Sequence, residues 1–123
     1  LEGYSNSKGT FEQNFANAKI RRYPMLARKK GFFRLTLNYL SHLFGAGFTQ
    51  YYLPKADWAF VFATSPITTA IPAIIWARLN NAKVCIWLQD VWPDSVAGVG
   101  ATKRHSLMYK ILGLIVRGIY KRT

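Results

Sequence analysis

The sequence predicts an α/β fold in which a parallel sheet is flanked by helices, and three observations predict it. Two short apolar runs, Asp57-Trp58-Ala59-Phe60-Val61-Phe62-Ala63 and Val84-Cys85-Ile86-Trp87-Leu88, have the composition of buried parallel strands. Ile67 to Arg78 lies between them and reads as a helix, so residues 57–88 make a strand-helix-strand unit of ordinary length. Each run then stops at residues able to do chemistry: Thr64-Ser65-Pro66 after the first, Gln89-Asp90-Val91-Trp92-Pro93-Asp94 after the second. Open α/β sheets bind ligands at the carboxyl ends of their strands, and that is where a site is expected.

Taken in order, residues 1–18 are polar and rich in Asn, Ser and Gly, which predicts a loop or weak helix ahead of one domain over 19–123. Ala18 to Pro24 alternates apolar and basic residues before a Pro, as a short exposed edge strand does. From Phe32 to about Tyr52 the period becomes helical, with Leu40, Leu43, Phe44, Phe48 and Tyr51 three and four apart. Gly45 and Gly47 each weaken that helix by roughly 1 kcal/mol relative to Ala, so close packing against a neighbour is expected there. Thr68 or Thr69 is the expected N-cap of the next helix, Pro72 falls in or near its first turn, and Asn80-Asn81 closes it. Ser95 to Gly100 reads as a Gly-containing loop. Ser106 to Tyr120 reads as an amphipathic helix, with Leu107, Met108, Ile111, Leu112, Ile115 and Ile119 on its apolar face. A rival reading takes uncharged residues 58–77 as a membrane span, against which stand two prolines and several hydroxyl residues.

Composition narrows the function classes. At 123 residues the chain is one domain or part of one, and 50% hydrophobic residues supply a core. It begins at Leu1-Glu2-Gly3 and stops at Tyr120-Lys121-Arg122-Thr123, which reads as a fragment of something larger. The single Cys85 permits neither a disulfide framework nor a zinc quartet, fits a reducing compartment, and reads as a small buried hydrophobe. His42 and His105 are too few and too far apart for a metal set, so no metal is expected, and both read as surface or packing residues. Neither Ser65 nor Ser95 sits in a nucleophile elbow, and no phosphate-binding Gly-rich fingerprint is present.

Charge is the other strong signal. Seventeen Lys and Arg against five Asp and Glu give a formal +12, with no acid between Glu12 and Asp57 or after Asp94. Lys19, Arg21, Arg22, Arg28, Lys29, Lys30 and Arg34 form one basic cluster, and Lys103, Arg104, Lys110, Arg117, Lys121 and Arg122 another. Such a field attracts nucleic acid, anionic lipid or phosphorylated ligands. Phe60, Phe62, Trp76 and Trp87 fall inside expected core elements, so a base-stacking platform is weakly supported.

At the strand ends, Asp90 should point into the cleft above the sheet. Asp94, beyond Trp92-Pro93, either caps the next turn or joins Asp90 in accepting hydrogen bonds from hydroxyls. Trp92 offers a ring face to a sugar. The run Thr64-Ser65-Pro66-Ile67-Thr68-Thr69-Ala70-Ile71-Pro72-Ala73, an Ala-rich helix, a strand, Gln89-Asp90-Val91-Trp92-Pro93-Asp94-Ser95-Val96 and a Gly shortly after resemble family 4 glycosyltransferases of the bacterial surface-polysaccharide and O-antigen type. The match covers about residues 55–120; residues 19–52 fit the preceding strand and helix less distinctively.

That resemblance implies an incomplete N-terminal half of a GT-B fold, a Rossmann-like domain that binds the acceptor. It implies no cofactor in this chain, a nucleotide-sugar donor held by a C-terminal domain that this chain does not include, and retaining transfer without a required metal. The implied acceptor is a polyprenyl-diphosphate-linked glycan, and the implied location is the cytoplasmic face of the bacterial plasma membrane, peripherally bound. Acceptor contacts would then come from Asp90, Trp92, Ser65, Thr68, Gln89 and Asp94. Arg28, Lys29, Lys30 and Arg34 would meet the diphosphate or the anionic leaflet, where each cation contributes about 1 kcal/mol. Catalytic residues are not assigned, and the chain alone is not expected to transfer sugar. Three departures stand out: the opening strand and Gly-rich loop of such domains are not visible in residues 1–30, the donor domain is absent, and many relatives carry His where this chain has Gln89, a side chain that cannot act as a general base. On this reading no nucleic acid is bound. The alternatives are a basic nucleic-acid-binding α/β module and a small membrane-interaction protein in which residues 58–77 insert.

Overall fold

A computed structural model describes residues 11–27, 31–100 and 102–123. The architecture is mixed α/β, with one antiparallel and one parallel pair of strands. The chain divides into two compact units, Leu1–Thr49 and Gln50–Thr123, so the division falls inside the stretch read from sequence as one domain.

In the first unit, β1 (Phe11–Phe15) pairs antiparallel with β2 (Ala18–Arg22), Glu12 standing opposite Arg21 and Asn14 opposite Lys19. The edge strand expected at 18–24 is therefore present, whereas the loop or weak helix expected over 1–18 is corrected to a strand at 11–15. Its apolar alternation is too weak to announce it, because polar cross-strand pairs hold it instead. Glu12 bonds Arg21 and lies 3.4 Å from Lys19, and Arg22 Nη1 donates to Gln13 Oε1 at 3.0 Å. The Arg21 hydrogen bond holds the Glu12 carboxyl below its ordinary value.

Helix α1 (Phe32–Thr49) follows, continued by a single 3-10 turn over Gln50–Tyr52. The sequence places its packing face on Leu40, Leu43, Phe44 and Phe48; in the structure Leu40, Phe44 and Phe48 are exposed, and Asn38 and Thr49 are buried. Polar chemistry explains the reversal. The chain at 23–26 lies along the opposite face, where Asn38 Nδ2 donates to the Leu26 carbonyl and Ser41 Oγ accepts from Leu26 N–H at 3.1 Å. Tyr23 Oη and His42 Nδ1 are 2.7 Å apart, and burial pushes the Tyr23 phenol up. Of the basic lead-in, Arg34 is exposed, while Arg28, Lys29 and Lys30 lie outside the described residues.

The second unit is built on β3 (Trp58–Ala63) and β4 (Lys83–Leu88), which run parallel with Ala63 opposite Leu88. Between them come a 3-10 turn (Ile67–Ala70) and α2 (Ile71–Asn80), completing the expected strand-helix-strand unit. After β4 follow the short α3 (Asp94–Gly98), which replaces the loop expected at 95–100, and α4 (Leu107–Tyr120). Val61, Ala63, Ile67, Ala70, Ile74, Val116 and Ile119 form the core, with Val84, Ile86 and Trp92 packed against it. Among the described residues of this unit, helices cover only this face of the sheet. The alternate residues therefore project outward: Phe60 is 63%, Phe62 57% and Trp87 59% exposed, and Cys85 is exposed between them. Burial of Phe60, Phe62, Trp87 and Cys85, expected from an all-apolar strand, is corrected on this point; only Trp76, on α2, is buried. An all-apolar parallel strand is suited to cover on both faces, and two strands with helices on one side supply half of it.

Helix boundaries were partly legible. Asn81 closes α2 in the left-handed conformation at φ 54, its N–H reaching the Ala77 carbonyl, and Pro72 sits in the first turn. Thr68 and Thr69 do not cap α2, because the coil begins earlier as the 3-10 turn that contains both, and Ala70 precedes α2 without a side-chain cap. Ser106 caps α4 by accepting from Tyr109 N–H at 3.1 Å. Of the apolar face expected for α4, Ile119 is buried and Leu112 half-buried, but Leu107, Met108, Ile111 and Ile115 are exposed, since a narrow sheet meets only a narrow strip of helix. Residues 58–77 divide among β3, the 3-10 turn and the first part of α2, so they do not form one span. Among the described residues no helix is long and apolar enough to cross a membrane.

Candidate functional site

Parallel strands deliver their carboxyl ends to one edge, and the register here aligns those ends residue for residue. Ala63 stands opposite Leu88, and Gln89 N–H donates to the Ala63 carbonyl at 3.2 Å. Thr64-Ser65 and Gln89-Asp90 therefore leave the sheet side by side. Each segment turns at once into a cis X-Pro bond, Ser65-Pro66 on one side and Trp92-Pro93 on the other.

The expected site residues separate into three groups at this edge. Ser65 and Gln89 are exposed, and Asp90 is half-buried. The Asp90 carboxylate makes no hydrogen bond or ion pair with any described residue, so its acceptor capacity is open. Thr68 is half-buried within the 3-10 turn. Trp92 does not stand free as a sugar platform: it is half-buried and packs against the core.

Asp94 has a structural engagement of its own. It opens α3, and its Oδ1 accepts from the Tyr109 hydroxyl at 2.9 Å, with Arg104 Nη2 at 3.8 Å. The hexapeptide is thus tied to the first turn of α4, whose cap Ser106 is itself bonded to Thr102 at 2.9 Å. Gly113 lies beneath Pro93, where an added Cβ would stand 4.0 Å from Pro93 Cγ. Tyr109 is the partner that sequence reasoning missed. Its only sequence signal was position, three residues after a serine cap, which puts it one turn into the helix.

The same hydrogen bond raises the Tyr109 phenol above its ordinary 10.0, since ionising it would set a phenolate beside a carboxylate. A group whose value is raised on folding stabilises the fold below its unfolded value. The Asp94–Tyr109 tether is therefore complete below pH 10.0 and is lost as pH rises through the raised value. Ultraviolet titration of Tyr109→Phe against the parent is expected to lose a phenol titrating above 10.0. Amide exchange across α3 is expected to quicken about severalfold in that variant. Unchanged exchange would mean that Asp94 is not held through Tyr109.

Two buried hydroxyls near these segments, Thr69 Oγ1 and Ser95 Oγ, have no hydrogen-bond partner among the described residues. Each follows one of the two strand ends, and each is a polar group of the kind that folding normally pairs. Among the described residues no three His, Cys, Asp or Glu side chains stand close enough together to hold a metal ion. Comparisons with protein-family models, with curated proteins and with solved structures find no match to this chain.

Proposed function

We propose that this chain is the acceptor-binding part of a retaining glycosyltransferase, with a Rossmann-like sheet forming the N-terminal half of a GT-B fold. The observation that carries the reading is the strand-end edge, where Asp90 keeps a half-buried carboxylate with open acceptor capacity beside Ser65 and Gln89. Hydroxyl-rich ligands are what such a constellation binds. A carboxylate accepts from two neighbouring hydroxyls, while a serine hydroxyl and a glutamine amide both donate and accept. Trp92 contributes by fixing the loop rather than by stacking on sugar, and Asp94 does so through Tyr109. The motif resemblance supplies the substrate class, a nucleotide-sugar donor and a polyprenyl-diphosphate-linked acceptor at the inner face of a bacterial membrane. Basic residues such as Arg34 favour that anionic surface.

The test is transfer of labelled sugar from a panel of nucleotide-sugars to polyprenyl-diphosphate-linked glycan by the full gene product. Asp90→Asn is expected to weaken acceptor use while leaving donor KM unchanged. Transfer that is indifferent to Asp90, or no transfer with any donor, sinks the assignment.

One observation favours a second reading. Trp58, Phe60, Phe62 and Trp87 line a bare sheet face on a strongly basic chain, and Lys83 Nζ lies 5.2 Å from the Trp58 ring centroid. Exposed aromatics on a sheet with basic surroundings suit single-stranded nucleic acid, whose bases stack at about 1–3 kcal/mol each. Gel shifts with single-stranded oligonucleotides across a salt series separate the two readings, because only this one requires retention that falls steeply with salt.

A further inference from the structure

The helical side of the second unit holds a groove that the strand-end chemistry does not use. It runs between α2 and α4, has a volume of about 330 Å³, and is walled by Ile71 and Ile75 on one side and Ile115 and Ile119 on the other. Its floor is preformed, because Ile74 and Ile119 belong simultaneously to the groove and to the core packed on the sheet. Among the described residues the polar side chains that line it are two arginines, Arg78 and Arg122, and none of those lining it is an acid.

These arginines are not spoken for by the protein. Arg78 is exposed at the end of α2 and forms no ion pair or hydrogen bond with any described residue. Arg122 lies beyond the last turn of α4 and folds back so that its Nη1 donates to the Gly118 carbonyl. Gly118 makes this possible: a Cβ there would stand 3.3 Å from Arg122 Nη1. One carbonyl uses one of five guanidinium donors, and the rest remain available. Three acids are present in the unit, Asp57, Asp90 and Asp94, and Asp94 is engaged by Tyr109 and Arg104.

We propose that the α2–α4 groove binds a membrane lipid phosphate, its hydrocarbon chain lying among the isoleucines and its phosphate held by Arg78 and Arg122. The isoleucine walls account for the apolar part, since water gains nothing in a site lined in this way. Charge complementarity selects the head. A phosphate monoester carries close to two negative charges and presents oxygens that match the planar guanidinium fork, which the donors left over on Arg78 and Arg122 satisfy. The groove lies on the helical face and the proposed acceptor edge at the strand ends, so the two sites stand or fall separately.

The test is a titration of the full chain, labelled at isoleucine methyl groups, with decyl phosphate below its micelle threshold. Shifts are expected at Ile71, Ile75, Ile115 and Ile119, with Ile20 in the other unit unmoved. Decanol and inorganic phosphate, each lacking one half of the ligand, are expected to bind at least about tenfold more weakly. Arg78→Gln with Arg122→Gln is expected to cost about tenfold or more, and Gly118→Leu, which fills the slot from a half-buried position, is expected to abolish the shifts. Shifts spread equally over Ile20 and Ile86, equal binding of decanol, or indifference to the double substitution would overturn the proposal. No sugar transfer enters the readout, so a negative result leaves the strand-end assignment untouched.

Discussion

Ile67→Ala is expected to destabilise the Gln50–Thr123 unit by about 2–5 kcal/mol, the range for deleting a buried isoleucine side chain. Ile67 opens the 3-10 turn directly after Pro66 and is 2% exposed, packed with Val61 and Ala63 of β3 and Val116 and Ile119 of α4 in one cluster. The loss matters because small domains retain only about 5–15 kcal/mol in total. Here, moreover, the described residues leave one face of the sheet largely exposed. Trp58, Trp76, Trp87 and Trp92 all fall in this unit, so urea unfolding followed by tryptophan emission reports on it. Leu114→Ala, on the exposed side of α4, is the matched control and is expected to change stability by no more than about 0.5 kcal/mol. A loss below about 1 kcal/mol for Ile67→Ala would show that the turn collapses into the vacated space, and Ser65 and Thr68 would shift with it.

The strand-helix-strand unit was legible because its signals are local. Two runs of apolar, β-prone residues bracket a helix that ends at Asn80-Asn81, and each of those features is a property of a few neighbours in sequence. What the same runs do not say is which faces are covered. Val61 and Phe62 look alike as apolar strand residues, yet one is buried and the other exposed, because that difference depends on helices packing on one side of the sheet alone. Of the β1–β2 hairpin, β2 was legible as an edge strand and β1 was not, for the complementary reason. Its pairing rests on Glu12, Arg21, Gln13 and Arg22, residues whose polar types predict loop when read singly.

At the strand ends, which segments lie side by side was legible and the contacts of each side chain were not. A strand that runs into Gln89-Asp90 beside one that runs into Thr64-Ser65 follows from parallel pairing, and the register bears out their adjacency. Asp94 and Trp92 resemble ligand-binding residues in sequence. Their tertiary partners give each a structural engagement: Asp94 bonds at the surface to Tyr109, fifteen residues on, and Trp92 packs against the core cluster. Asp90, Ser65 and Gln89 carry no such engagement with the described residues, which puts them first among the mutations worth making.

Gly45→Ala and Gly47→Ala are expected to move stability in opposite directions, although both place the same methyl in the same helix. Propensity alone predicts that each gains about 1 kcal/mol, since Gly is the weaker helix former. At Gly47 nothing lies within 4 Å of the added Cβ, so that gain should appear. At Gly45 the Cβ would stand 2.6 Å from Tyr23 Cδ2 and 3.2 Å from Cε2, inside any tolerable contact. The ring cannot swing clear cheaply. Its hydroxyl is bonded to His42 Nδ1 at 2.7 Å, its centroid lies 5.7 Å from the imidazole, and the neighbouring Leu26 backbone is pinned by Asn38 and Ser41. Overpacking of this kind costs about 1–3 kcal/mol, which exceeds the propensity gain. Thermal unfolding followed by helical circular dichroism should therefore rank the proteins Gly47→Ala above parent above Gly45→Ala. Adding Tyr23→Ala to Gly45→Ala should restore the propensity gain relative to Tyr23→Ala alone. If Gly45→Ala is still destabilising with the ring removed, the close approach of Tyr23 is not what keeps a glycine in this helix.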